Sequence, residues 1–212
     1  DWYWDDFKYI KLLKISGGLN RIIHYRNEIN SNLSLEKCSE IQSRKRYHYK
    51  QLVLSGQIKT RNGVLRLIDE LSNLDIKQFI VTTSGRDSLE PFLNTSMNSH
   101  IHLFSKIITY EDVSTHKPFP EAYNLALKLS GCSNKNCLAI EDSSIGVDAS
   151  KAAKINCLLT LPPWSSSVEK INKKANACVD RLGNNNNLTN VIYGKQLITS
   201  YVDYAYLTKI IN

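Results

Sequence analysis

A three-residue apolar run, Leu138-Ala139-Ile140, stops abruptly on two adjacent carboxylates, Glu141-Asp142, and a helix start rich in small residues, Ser143-Ser144-Ile145-Gly146, follows at once. The run has no position for a solvent-facing polar residue, which is the pattern of a strand buried on both faces, as in a parallel sheet. Such a strand needs helices above and below it, so this one stretch selects an α/β layer architecture. Ligands of open α/β sheets bind outside the C-terminal ends of the strands, and Glu141 and Asp142 stand at such an end. Ser143 can cap the next helix, whose Ile145, Ala149, Ala152 and Ala153 recur at helical spacing and suit close packing on a sheet. Two neighbouring anions repel, and a cation relieves that repulsion. Mg2+, a hard ion held by one or two carboxylates together with phosphate and water, is the simplest candidate. Taken alone, the pair reads equally well as a solvated turn with a capping aspartate.

The other segments decide between these readings. From Arg61 onward, helical and strand patterns alternate: a helix stripe at Val64, Leu65, Leu67, Ile68 and Leu71, then strands at Ile76 to Val81, Ile107 to Thr109, Asn156 to Leu161 and Ala177 to Val179. Helix Glu121 to Leu129 ends at Gly131, and a closing helix is expected over Tyr201 to Ile211. This alternation predicts a doubly wound, Rossmann-like parallel sheet over 59–212. Residues 1–58 read differently, as polar-basic helices forming a small cap, with the longest helix running from Ser34 to Leu54 and closed by Gly56.

Three further stretches carry chemistry. Thr82-Thr83-Ser84-Gly85 places hydroxyls and free amides at a strand end ahead of a helix near Arg86, which makes either a phosphate cradle or a capped turn. In Thr115-His116-Lys117-Pro118-Phe119-Pro120-Glu121 two prolines stiffen the backbone, so Lys117 can be aimed as a free surface lysine cannot. In the cap, the Ser16-Gly17-Gly18 turn admits an anion close to the backbone, and Arg21 supplies a planar fork behind it; a plain helix turn with a surface arginine fits these residues as well. The run Arg44 to Lys50 is the densest basic and aromatic cluster, either a nucleic-acid stripe or a solvated helix face.

Net charge of +7 and a pI near 9.1 favour anionic ligands, nucleic acid or phosphorylated metabolites. No apolar run approaches the roughly 20 residues that cross a bilayer, so no membrane-spanning helix is expected. Five cysteines, an odd number without a Cys-x-x-Cys pair, suggest free thiols in a reducing compartment. The expected location is the cytoplasm, with the plastid stroma as the alternative.

The order Thr82, Lys117 within Lys-Pro-Phe-Pro-Glu, then Glu141-Asp142-Ser143-Ser144-Ile145-Gly146 resembles the haloacid dehalogenase superfamily of phosphohydrolases, in its beta-phosphoglucomutase branch with a helical cap. Trp4-Asp5, Ser16-Gly17-Gly18-Leu19-Asn20-Arg21, and Lys45 with Tyr49 are similar to its CbbY-like subgroup of xylulose-bisphosphate phosphatases. The resemblance implies a magnesium-dependent phosphatase of a small sugar phosphate or bisphosphate. Thr82 would bind the transferring phosphoryl group and Lys117 would neutralise nucleophile and phosphate. Glu141 and Asp142 would hold Mg2+ directly or through water. Arg21 and Lys45, with Gly18, Thr83 and Ser84, would bind the substrate. A mutase, an inactive binding module and a nucleic-acid binder are the alternative functions. The family's Asp-x-Asp-x-Thr nucleophile motif has no counterpart here, and Arg61-Asn62-Gly63 stands where the family has Arg-Pro-Gly. The expectation is that a leading strand carrying the nucleophile lies outside this sequence and belongs between the strands that end at Val81 and Ile140. Those two strands should then sit about 10 Å apart, twice the usual spacing.

Overall fold

A computed structural model describes residues 2–15, 17–162 and 172–212. Asp1 and Ser16 of the expected Ser-Gly-Gly turn lie outside the described residues. Three helices come first: α1 (Asp6–Leu12), α2 (Gly18–Glu28) and α3 (Leu35–Leu54). Side-chain caps start two of them, Asp5 accepting from the Lys8 amide at 2.7 Å and Ser34 from the Lys37 amide at 3.1 Å. Along its 20 residues α3 buries only Cys38 and Val53, so its sequence is free to be polar. It packs against α2 on one side and, on the other, against α5 (Arg86–Ser96). No helix among the described residues is long and apolar enough to cross a membrane.

The remainder alternates as the sequence predicts: α4 (Val64–Asn73), β1 (Gln78–Val81), α5, β2 (Phe104–Ile108), α6 (Glu121–Ser130), β3 (Leu138–Glu141), α7 (Ser144–Ala152), β4 (Asn156–Thr160), β5 (Ala177–Val179), β6 (Val191–Tyr193) and α8 (Tyr204–Ile211). β1 pairs in parallel with β2; β3, β4 and β5 are parallel neighbours, and β6 adds an antiparallel edge. Side chains along each strand alternate between two cores. Cys157 and Leu159 of β4 join Ala139, Cys178, Val147 and Tyr123 beneath α6 and α7, whereas Leu158 joins Val179, Leu67 and Tyr206 beneath α4 and α8. This is the doubly wound arrangement.

Some boundaries differ from the expected ones. The last helix begins at Tyr204 rather than Tyr201, because Asp203 is its cap and accepts from the Tyr206 amide at 2.7 Å. β1 begins two residues later than expected, after a turn at Asp75 with φ of +54°. β2 runs over Phe104–Ile108 instead of Ile107 to Thr109, since Thr109 turns out of the strand to cap a 3-10 turn, Tyr110–Asp112.

β1–β2 and β3–β6 form two separate sheets, and β1 and β3 share no hydrogen bonds. They nevertheless belong to one layer. Val81 of β1 packs into the same core as Ala139 of β3, and α4 contributes Leu67 to the core over β4 and β5 but Ile68 to the core over β1 and β2. Ile140, mid-strand in β3, is 38% exposed. An isoleucine there is what an open sheet edge shows, in contrast to the fully buried Leu158 one strand away.

Candidate active site

The C-terminal ends of β1 and β3 open on a cavity of about 310 Å³, lined by Thr82, Thr83, Lys117, Glu141, Asp142 and Ser143, with Arg61, Asn62 and Thr160 on a further wall. The hydroxyl, the ammonium and the acid pair, widely spaced in the chain, therefore face one space.

Lys117 is 6% exposed and Glu141 7%. The Lys117 ammonium donates to the Val81 carbonyl at 2.9 Å and to Glu141 Oε1 at 2.5 Å, which leaves its third N–H uncommitted. Tyr123, in the first turn of α6, donates its hydroxyl to the same Glu141 oxygen, and its ring centroid lies 5.0 Å from the ammonium. Burial first, and the Glu141 charge second, push the Tyr123 phenol well above its ordinary range, so it stays protonated as a donor. Glu141 Oε2 lies against Gly146: a Cβ there would come within 1.9 Å of it. Ser143 starts α7 as expected, accepting from the Gly146 amide at 3.2 Å. Asp142, one residue on, is exposed within the cavity.

Thr82 continues the ladder of β1, its amide donating to the Ile108 carbonyl at 2.9 Å, and its Oγ1 accepts from the Ser84 amide at 3.0 Å. The hydroxyl proton is thereby left to donate. Thr83 also lines the cavity, but the Ser84-Gly85-Arg86 end of the expected cradle is turned away from it. The Arg86 amide at the start of α5 donates to both oxygens of Glu111, each at 3.2 Å, and Glu111 sits so close to Gly85 that a Cβ would approach it within 2.6 Å. Ser84 does not line the cavity, and its carbonyl accepts from the Tyr110 amide. An internal carboxylate has taken the Arg86 amide that the sequence pattern offers to an anion.

Arg61, which the sequence reading did not place among the site residues, also reaches the cavity. Its guanidinium donates to Thr160 Oγ1 at 2.6 Å, the Leu161 carbonyl at 2.5 Å and the Asp180 carbonyl at 3.4 Å, fixing a cation on the cavity wall. Burial lowers its pKa from the ordinary value while the Asp142 charge raises it. Gly63, with φ of +85°, lets this turn approach the backbone of Gly183, where a Cβ would lie 2.4 Å from the carbonyl oxygen.

Gly18, Arg21 and Lys45 form a second cluster, in the cap, and do not line the cavity. A Cβ on Gly18 would meet the Gln42 amide at 2.5 Å, and the Gln42 oxygen is buried without a partner among the described residues. Arg21 Nε donates to the Ile15 carbonyl at 2.8 Å. Partial desolvation, then the Arg21 charge, holds the Lys45 ammonium below its usual pKa although its surface remains accessible. The Arg44 to Lys50 run lies on the exposed face of α3.

Among the described residues no group of three or more His, Cys, Asp or Glu could hold a metal ion. The cavity instead offers two carboxylates, one exposed and one locked by Lys117 and Tyr123. That donor set suits Mg2+, which keeps waters and takes substrate oxygens.

Residues 19–160 match the model of the haloacid dehalogenase-like hydrolase family. The chain is 30% identical over 161 residues to protein CbbY of Rhodobacter capsulatus, covering 76% of this chain and 71% of that protein. It is 27% identical over 188 residues to the CBBY-like protein of Arabidopsis thaliana, covering 85% of this chain and 58% of that protein. The crystal structure of CbbY from Rhodobacter sphaeroides in complex with phosphate superposes with a TM-score of 0.76 at 25% identity, covering 85% of this chain and 80% of that one; a mutant of the same protein is solved in complex with xylulose-(1,5)bisphosphate. The beta-phosphoglucomutase of Clostridium difficile shares the fold, with a TM-score of 0.70 at 22% identity over 98% of this chain and 82% of that one.

Proposed function

This chain belongs to the haloacid dehalogenase-like hydrolase family as a CbbY-like phosphatase, and from that premise we propose that it removes phosphate from a small sugar phosphate or bisphosphate, with xylulose 1,5-bisphosphate the first candidate. The observation that carries this reading is the Lys117 ammonium, anchored on the Val81 carbonyl and Glu141, in a cavity that Thr82 and Asp142 share.

In the proposed mechanism Thr82 donates its hydroxyl to a phosphoryl oxygen, and Lys117 turns its remaining N–H on the charge that builds up as the phosphoryl group transfers. Arg61 keeps a further positive charge on the opposite wall. Asp142 would hold Mg2+, with Glu141 adding its charge from behind through water, and the ion would neutralise phosphate charge and orient the substrate. Arg21 and Lys45 grip the remote end of the substrate from the cap, whose closure excludes bulk water. The nucleophile is proposed to be an aspartate on a strand seated between β1 and β3, since among the described residues neither of those edges is paired there and both strands end at the cavity. Its carboxylate displaces the sugar oxygen from phosphorus, the sugar oxygen takes up a proton, and water then hydrolyses the aspartyl-phosphate to inorganic phosphate.

Phosphate release by the full-length protein in magnesium buffer tests this. Release from xylulose 1,5-bisphosphate, with no isomerisation of glucose 1-phosphate, is the expected result. Interconversion of glucose 1-phosphate and glucose 6-phosphate without phosphate release would make the protein a mutase. Inertness toward both, and toward p-nitrophenyl phosphate, would overturn the reading.

A further inference from the structure

We infer that Tyr123 is a positioning residue, which through one buried side chain sets the places of both Lys117 and Glu141. Three observations converge on it. Its hydroxyl donates to Glu141 Oε1, the oxygen that also accepts from Lys117. Its ring lies beside the Lys117 ammonium, with 5.0 Å between nitrogen and centroid. It is rooted in the core beneath α6 and α7 at 7% exposure.

Lys117 and Glu141 already touch at 2.5 Å, and without a competitor the remaining carboxylate lone pairs could take a second ammonium proton. That turn would consume the N–H that, among the described residues, points to no protein acceptor. Tyr123 opposes it by occupying part of the same oxygen, while Gly146 closes off the other side of the carboxylate at Oε2. Glu141 is thus held at three points, and the ammonium is shared between Glu141 and the Val81 carbonyl rather than captured by one of them. The ring face, with its negative quadrupole, attracts the ammonium without accepting a hydrogen bond from it.

The geometric part stands on contacts alone; its catalytic consequence rests on the phosphatase reading, and the test separates the two. In Y123F the ring remains and only the hydroxyl is lost. Lys117 is labelled with an N-hydroxysuccinimide acetate ester and quantified by peptide mapping, in parallel with steady-state hydrolysis of p-nitrophenyl phosphate by the full-length protein. The expected result is a several-fold change in Lys117 labelling with Lys128 and Lys209 unchanged, and a kcat lowered about 10-fold, the scale of a small misplacement of a reacting group, at a KM within about twofold. A merely structural tyrosine would instead change labelling at all three lysines together and lower the melting temperature. That outcome, or wild-type labelling and kcat, would overturn the inference. Altered Lys117 labelling in a protein whose wild type hydrolyses nothing would support the positioning role and sink the phosphatase reading. Should Y123F fail to fold, the wild-type protein still decides: the Tyr123 hydroxyl proton is expected as a slowly exchanging NMR resonance coupled to its ring carbon, and a freely exchanging hydroxyl would overturn the inference.

Discussion

At Gly146 two ordinary rules pull in opposite directions. Alanine inside a helix is favoured over glycine by roughly 1 kcal/mol, so G146A should stabilise α7. A Cβ there, however, would lie 1.9 Å from Glu141 Oε2, and the carboxylate cannot swing aside without leaving Lys117 and Tyr123. Disrupting one partner of a buried ion pair costs about 3–5 kcal/mol, which exceeds the propensity gain. G146A is therefore expected to lose about 2–4 kcal/mol in urea unfolding and most of its phosphatase activity; a stable, active G146A would show that Glu141 has another place to go. The motif Glu141-Asp142-Ser143-Ser144-Ile145-Gly146 was legible because its signal is local, an apolar run ending in acids and a cap. Tyr123 was not, since an aromatic residue in the first turn of an amphipathic helix is the ordinary mark of a core position. Arg61 was hidden for another reason: its acceptors, Thr160, Leu161 and Asp180, lie 99, 100 and 119 residues away, and no window of sequence brings them together.

The N-terminus of α5 shows how a correctly located element can be given the wrong task. Hydroxyls and glycine before a helix do mark an anion site, and an anion is there, but it is Glu111 from the 3-10 turn Tyr110–Asp112. Replacing it with alanine should cost about 1 kcal/mol, the usual worth of a helix cap, and leave KM for a phosphate ester unchanged. A raised KM in E111A would return this helix to the substrate site. Strands were legible where they are apolar and continuous, as in β3 and β4, and not in β6, whose three residues are too few to show a period. The strands of the core also predict a pH response. Burial pushes the Cys157 thiol up to about 11 and the Cys178 thiol up to about 12, from an ordinary 9.0. A folded pKa above the unfolded one means that the native state retains protons the unfolded state releases. The stabilisation is complete below pH 9 and is lost as pH rises toward 11 and 12, at up to about 1.4 kcal/mol per pH unit for each thiol. Tyr123 and Tyr193 join this loss near pH 10, so the share of the two thiols is read from pH 9 to 10 as the difference between wild type and variant. Urea midpoints of C157A/C178A should fall less steeply than those of the wild type across that interval, and parallel slopes would mean the thiols titrate alike folded and unfolded.

Across the whole molecule, one layer of strands is divided into two sheets, with shared helices bridging the division. α4 packs on both halves, and Lys117 ties the carbonyl at the end of β1 to the carboxylate at the end of β3. These tethers position the two halves without pairing their edges. An unpaired strand edge is a template for another strand, and among the described residues β1 and β3 each present one beside the same cavity, with Ile140 of β3 exposed. A single strand inserted between them would satisfy both ladders, cover Ile140 and bring its own C-terminal end to Thr82, Lys117 and Asp142, which is why the nucleophile is assigned to that place. The same geometry makes the 212-residue chain an unsatisfied partner for any extended segment, including one from a second copy. Expressed by itself, it should sediment as concentration-dependent oligomers and enhance the fluorescence of 8-anilinonaphthalene-1-sulfonate. If the 212-residue chain proves monomeric, silent to the dye and cooperative on melting, its two edges are closed in solution by some other arrangement, and the nucleophile must be sought among the carboxylates already lining the cavity.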